Sequence, residues 1–349
     1  MQLKLHSFDL RLRHQFTISR ESYNVQPTLI VELAEDGLSG YGEATTNPYY
    51  GVTIENMSAA LERVRPLIER WPGDDPAAFW DALEPSLREH RFAQCALDQA
   101  AHDLWGKRLG QPVYQLLGLT ADRLPVTNYT IGIDTLEVMV AKMQEFPGWP
   151  VYKIKLGTPH DLEIIRHLRK HTDAVFRVDA NCGWTAEETL HKARELQRWN
   201  VEFIEQPLPA GQWSEMRRVR AECPLPLIAD ESCLVAEDVD RCHGCFHGVN
   251  IKLVKCGGLT PARRMIARAR ELGLKAMVGC MTESSVGISA IAQLLPLLDY
   301  VDMDGALLLA EDIAAGVTIE RGICRYADEH GCGVRLRRPT VLEIGRAHV

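Results

Sequence analysis

The sequence predicts an α/β chain in which a parallel (β/α) barrel is joined to a smaller α+β domain. Three observations predict it. Short apolar runs that each end in one charged residue recur about every 25 residues from Lys155 to Lys252, which leaves room between them for one helix and two loops. The N-terminal part has another texture, with alternating strand patterns followed by helical periodicity. A length of 349 residues also exceeds what one ordinary core accommodates.

Taken in order, residues 3–12 and 28–33 alternate or run apolar like antiparallel strands, and Asp36-Gly37 supplies a hairpin turn before Gly40-Tyr41-Gly42-Glu43. Apolar residues at three- and four-residue spacing predict helices over 54–69, 76–87 and 92–109. Segments 17–27 and 47–53 read as loops of the kind that cover active sites. Residues 110–124 connect the two parts, and strand-helix alternation starts at Val126. The strand over 151–157 carries Lys153 and Lys155 two residues apart, so both ammonium groups leave the same face. Runs ending at Asp179, Glu205, Asp230 and Lys252 follow, then an apolar strand over 274–280. In the last strand, 299–305, Asp302 and Asp304 share a face.

In a parallel barrel the C-terminal strand ends gather at one mouth, which is where such folds assemble their active sites. The ring then reads Lys155, Asp179, Glu205, Asp230, Lys252. Three adjacent carboxylates repel one another unless a cation sits among them, and an all-oxygen site suits a hard ion such as Mg²⁺. Asp302 and Asp304 likewise require a cation, whether a metal, a lysine or a substrate ammonium. Lysines on a sheet edge and acids in solvated turns are the ordinary alternatives. Neither accounts for five charged residues on successive strand ends.

The net charge of −8 and pI near 5.9 exclude nucleic acid and anionic membrane as natural partners. No run approaches the roughly 20 apolar residues that span a bilayer, and the N-terminus lacks a basic region followed by an apolar one, so a cytoplasmic location is expected. Ten cysteines in such a chain read as reduced thiols. Cys242-His243-Gly244-Cys245-Phe246-His247 lacks a second ligand pair and reads as a loop, not a zinc site.

The double lysine, Asp179-Ala180-Asn181, Glu205-Gln206-Pro207, Asp230-Glu231-Ser232 and Asn250-Ile251-Lys252 with Lys255-Cys256-Gly257-Gly258 together resemble the enolase superfamily, in its muconate-lactonising subgroup. Within that subgroup, Asp302-Met303-Asp304 at the last strand resembles the dipeptide epimerases of the L-Ala-D/L-Glu epimerase type. The likeness runs from the 17–27 segment to about Ala315. It implies a modified (β/α)7β barrel of the TIM type over 116–315, an α+β capping domain over 1–115, a C-terminal return to the cap over 316–338 and a tail over 339–349. It implies one Mg²⁺ per subunit on Asp179, Glu205 and Asp230. Lys155 and Lys252 would invert the α-carbon of the C-terminal residue of an L-Ala-Xaa dipeptide by two-base proton transfer through an enediolate.

In that resemblance Lys153 and the metal together lower the pKa of the base, Lys153 also neutralises the substrate carboxylate, and Asp302 and Asp304 hold the α-ammonium. Glu-selective members carry an arginine in the first lid loop. The corresponding position here is Tyr23, with Arg20 close by, so the C-terminal side chain is left open to apolar or other residues. o-Succinylbenzoate synthesis, N-acylamino-acid racemisation and cycloisomerisation share the ring but do not need Asp302 and Asp304. The expected partner is a small dipeptide, and a homo-oligomer is allowed.

Overall fold

The computed structural model describes residues 1–337, so the tail expected over 339–349 lies outside the described residues. Three antiparallel strands, β1 (Gln2–Thr17), β2 (Ser22–Glu35) and β3 (Leu38–Thr45), form one sheet in sequence order. Asp36 and Gly37 join β2 to β3 with φ of 50° and 81°, the pair of left-handed residues that matches a hairpin turn to strand twist. The 17–27 segment, read from sequence as a loop, is mostly strand. Thr17 pairs with Ser22 and Phe16 with Tyr23, so only residues 18–21 turn. The polar residues that suggested a loop lie on a hairpin that leaves the sheet and reaches over the barrel, where alternation no longer reports a core face.

Three helices cover the sheet: α1 (Ile54–Ile68), α2 (Pro76–Leu87) and α3 (Arg91–Leu109). Thr53 and Asn56 close a capping box on α1, Asp75 caps α2 ahead of Pro76, and Gly110, at φ 64°, ends α3. Helix α3 lies almost on the backbone of β3. A Cβ at Gly42 would stand 2.0 Å from the Ala96 carbonyl oxygen and 2.7 Å from the Ala100 nitrogen. Backbone atoms of a buried helix cannot swing aside, so Gly42→Ala should destabilise the protein by about 1–3 kcal/mol. Thermal unfolding of Gly42→Ala beside the parent protein measures the effect. An unchanged midpoint would contradict this account of the joint.

Residues 129–302 build one parallel eight-stranded sheet in sequence order, with helices between successive strands. Its strands are β4 (Tyr129–Ile131), β5 (Val151–Lys155), β6 (Val175–Asp179), β7 (Val201–Glu205), β8 (Leu227–Ala229), β9 (Gly248–Lys252), β10 (Lys275–Gly279) and β11 (Tyr300–Asp302). The ring closes where Thr127 bridges Val301 and the Met303 N–H donates to Thr127 Oγ1 at 2.9 Å. Phe203, Ile228 and Met277, each two residues before the C-terminal row, form a separate apolar cluster with Tyr300. Arg177 lies against both Phe203 and Tyr300, with centroid distances of 5.4 and 5.3 Å. This layer closes the barrel beneath the charged row.

Cap and barrel are joined by buried acids. Glu43 of β3 accepts from Ser284 N and Oγ, Gly287 N and Thr28 Oγ1, and Asp98 of α3 accepts from Thr260 N and Oγ1. The C-terminal return brings the Cys332 N–H to Asp103 of α3 at 2.8 Å, and Arg335–Leu336 pairs with Ala314–Ala315. All ten cysteines are free thiols. Those of the 242–247 segment donate to separate carbonyls, Cys242 to Ser232 and Cys245 to Trp213.

Candidate active site

Pairing register sets the charged row. Lys155 lies opposite Asp179, Asp179 opposite Glu205, and Lys252 opposite Gly279, which in turn faces Asp302. Asp230 follows β8 directly. Lys155 and Lys252 therefore stand on strands four places apart in an eight-stranded ring, on opposite walls, with the three carboxylates on the strands between them. Above the row is a cavity of about 180 Å³ whose lining includes Lys155, Lys252, Asp230, Asp302, Asp304 and Glu231, with lid residues that include Arg20 and Tyr23. Asp179 and Glu205 lie deeper and are fully buried.

Asp179, Glu205 and Asp230 each present a carboxylate oxygen within 4.8 Å of the others. Lys155 reaches Asp179 at 2.8 Å, and Lys252 reaches Asp230 at 3.0 Å. Lys255 holds Asp230 from beneath at 2.6 Å, and Asn250 donates to Glu205 Oε1 at 2.7 Å. Glu205 Oε2 is 2.8 Å from the Lys153 ammonium, an ion-pair contact, yet this wholly buried oxygen accepts no hydrogen bond. Burial raises Glu205 to about 7, opposed by Lys153 and assisted by Asp179 and Asp230. Burial also acts to raise Asp230, but Lys252 and Lys255 outweigh it and hold that carboxyl below its usual range. Three oxygen donors, one of them without a bonded donor, fit a hard divalent ion. Cys280, Asp302 and Asp304 form the other cluster of this kind among the described residues, and burial there keeps the Cys280 thiol protonated.

Lys153 differs from its sequence expectation. Its ammonium is 1 % exposed and lies 2.7 Å from Asp302, 2.8 Å from Glu205 and 3.3 Å from Asp179. It stays below the cavity and meets protein carboxylates where a substrate carboxylate was expected. Burial lowers its pKa, but the acids, Asp302 first, more than reverse that, so the cation is retained. At Lys252, burial and the Lys153 charge both act to lower the pKa, as expected of Lys153, while Asp230 and Glu205, two of the carboxylates expected to hold the metal, raise it and prevail.

The two acids of the last strand are not equivalent. Asp302 accepts from Lys153 and, at 2.7 Å, from Asn128, which is itself held by Arg177 at 3.4 Å. Asp304, past the end of β11, accepts from Thr130 N at 2.5 Å and Thr130 Oγ1 at 3.2 Å, and no cation pairs with it among the described residues. Burial and the adjacent Asp302 charge push it well above the usual carboxylate range.

Both lid residues are engaged. The Tyr23 hydroxyl bonds Thr282 Oγ1 at 3.0 Å, and burial raises its pKa to about 12. Arg20, on the turn between β1 and β2, donates to the Asn181 carbonyl at 3.1 Å and to Glu231 Oε1 at 2.9 Å, with its guanidinium 4.3 Å over the Tyr49 ring. Arg177, Asn128, Asn250 and Lys255 were not anticipated as site residues. Strand parity carried a signal for two of them, since Arg177 and Asn250 stand two residues before Asp179 and Lys252.

The chain matches the mandelate racemase/muconate lactonizing enzyme N-terminal domain over residues 3–118 and the enolase C-terminal domain-like family over residues 136–340. A protein of Flavobacterium johnsoniae named L-Ala-D/L-amino acid epimerase is 57 % identical over 336 residues, covering 96 % of this chain and all of that one. A dipeptide epimerase from Methylococcus capsulatus, solved with Mg and the dipeptide L-Arg-D-Lys, is 35 % identical with a TM-score of 0.87, covering 95 % of this chain and 98 % of the other. One from Cytophaga hutchinsonii, solved with Mg and D-Ala-L-Val, superposes with a TM-score of 0.92 at 25 % identity, over 98 % of this chain and 97 % of the other. Capping sheet, eight-stranded barrel and charged row thus coincide with a match along nearly the whole sequence: the chain belongs to the enolase superfamily, in its mandelate racemase and muconate lactonizing enzyme family.

Proposed function

We propose that the protein is a Mg²⁺-dependent dipeptide epimerase that inverts the α-carbon of the C-terminal residue of L-Ala-Xaa dipeptides. The observation that carries the reading is the pair of lysines on opposite walls of one cavity, with three carboxylates between them and an acid without a cation, Asp304, beside them. Relatives named or solved as dipeptide epimerases support it. Asp179, Glu205 and Asp230 would hold the ion. When bound, it supplies positive charge for the substrate carboxylate to meet and competes with Lys155 and Lys252 for Asp179 and Asp230, which makes a neutral lysine less costly.

A substrate α-carbon placed between Lys155 and Lys252 presents one face to each. One lysine takes the α-proton, the carbon flattens, and the other lysine returns a proton from the opposite side, which inverts the centre. Asp304 accepts the dipeptide α-ammonium, replacing a buried uncompensated acid with a charged hydrogen bond. Lys153 keeps Asp302 and Glu205 neutralised and in place. In this reading residues 1–115 form the cap, 116–315 the barrel, and the enzyme works in the cytoplasm. No helix of the described residues is long and apolar enough to cross a membrane.

Incubation of L-Ala-Xaa dipeptides with Mg²⁺ in deuterated water, read by mass spectrometry, should show a gain of one mass unit in each substrate. Matched N-succinyl amino acids should react with kcat/KM lower by roughly ten- to a hundredfold, because a neutral amide leaves Asp304 unpaired. Asp304→Asn should impose a similar loss on the dipeptides. Equal or better turnover of the acylated compounds would move the protein to the racemase or synthase branch.

A further inference from the structure

Resting on the dipeptide reading, we infer that Arg20 and Glu231 form a neutralised pair that makes the C-terminal side-chain pocket select uncharged residues. Breaking the pair from either side should then give the pocket the charge preference of the partner left alone. The placement follows from the ring. The α-carbon that is inverted carries a carboxylate, a peptide nitrogen, a side chain and the mobile hydrogen. With the carboxylate over β6 to β8, the peptide nitrogen leading toward the α-ammonium at Asp304 beyond β11, and Lys155 and Lys252 on the two faces, the side chain is the one substituent left to place. The layer of Phe203, Ile228, Met277 and Tyr300 fills the barrel below, so that side chain leaves toward the lid. There the cavity is lined by Ile18, Arg20, Tyr49, Tyr50 and Glu231.

The pair is built as a unit. Glu231 has a side chain 3 % exposed, Oε1 on Arg20 at 2.9 Å and Oε2 with no hydrogen-bond partner. Arg20 is fixed by Glu231, the Asn181 carbonyl and the Tyr49 ring, so its cation is already matched when a substrate arrives. A charged side chain entering beside a completed pair makes three charges, one of which stays unpaired in a confined space. A neutral side chain leaves the pair intact and gains contact with Tyr49, Tyr50 and Ile18. Glu21 also lines the cavity but is only partly buried, so solvent screens its charge.

The test measures kcat/KM by deuterium exchange, at saturating Mg²⁺, for L-Ala-L-Leu, L-Ala-L-Glu and L-Ala-L-Lys with the parent, Arg20→Gln and Glu231→Gln. Ratios within one protein cancel any loss common to all substrates, including an effect on the neighbouring Asp230. The parent should favour the leucine peptide over both charged ones by roughly tenfold or more. Glu231→Gln, which frees the guanidinium, should raise the Glu-to-Leu ratio roughly tenfold, and Arg20→Gln, which frees the carboxylate, should raise the Lys-to-Leu ratio similarly. Ratios unchanged in both variants overturn the selector while leaving the epimerase reading intact. If a variant does not fold, the parent's ranking decides, and charged peptides reacting as well as the neutral one overturn the proposal. A parent that exchanges no dipeptide overturns the epimerase reading, and the selector with it.

Discussion

Lys155→Ala and Lys252→Ala should each lower epimerisation by about 10³-fold or more, the upper part of the range for loss of a positioned acid or base. The reason is geometric. The lysines stand on strands β5 and β9, on opposite sides of the ring, and neither ammonium can reach the face served by the other. Each variant should still exchange the α-proton of one enantiomer with deuterated water through its remaining lysine, and the two variants should serve opposite enantiomers. This pattern separates a missing base from a collapsed site, because a collapsed site exchanges neither enantiomer. Normal exchange of both enantiomers by both variants would end the two-base mechanism. A thermal melt belongs with the assay, since Lys252→Ala leaves Asp230 to Lys255 and Lys155→Ala leaves Asp179 to Lys153 at 3.3 Å.

Removal of divalent metal should stop turnover just as fully. Three buried carboxylates whose oxygens lie within 4.8 Å of one another receive charge from four lysines, yet Glu205 Oε2 keeps no bonded donor. A dication there is worth several kcal/mol to the charge that develops on the substrate carboxylate, or about 10³-fold in rate. Activity should return with Mg²⁺ and not with K⁺ after chelator is removed. Asp230→Asn should weaken binding of Mn²⁺ as followed by electron paramagnetic resonance, a readout independent of catalysis. Undiminished turnover in excess chelator, with metal absence confirmed by elemental analysis, would falsify the assignment.

The barrel and its charged row were legible because a strand is short, apolar and bounded by turns, and because residues two apart share a face. Lys153-Ile154-Lys155 on one strand, and a recurrence of about 25 residues for the next four charges, suffice to place five side chains at one mouth. The cap was legible in outline. Its predicted helices begin and end within a residue of α1, α2 and α3, since Thr53, Asp75 and Gly110 mark the ends chemically. The long hairpin was not, because its outer half pairs without covering a core, and alternation then carries no register information.

The amino-acid sequence by itself determined which charged residues enter the barrel mouth, since strand parity and the parallel winding depend only on local pattern. Only the tertiary structure decided how those charges are paired. Lys153 lies 2.7 Å from Asp302 across 149 positions of sequence, Arg20 lies 2.9 Å from Glu231 across 211, and Asp304 is left with neutral donors. Parity tells which face a side chain leaves, but not which of several opposite charges around a closed ring it will meet. That choice follows from the register of every intervening strand, from side-chain length and from the hairpin that carries Arg20 over the mouth. Among buried charges, such pairings settle which acid is left for a substrate cation.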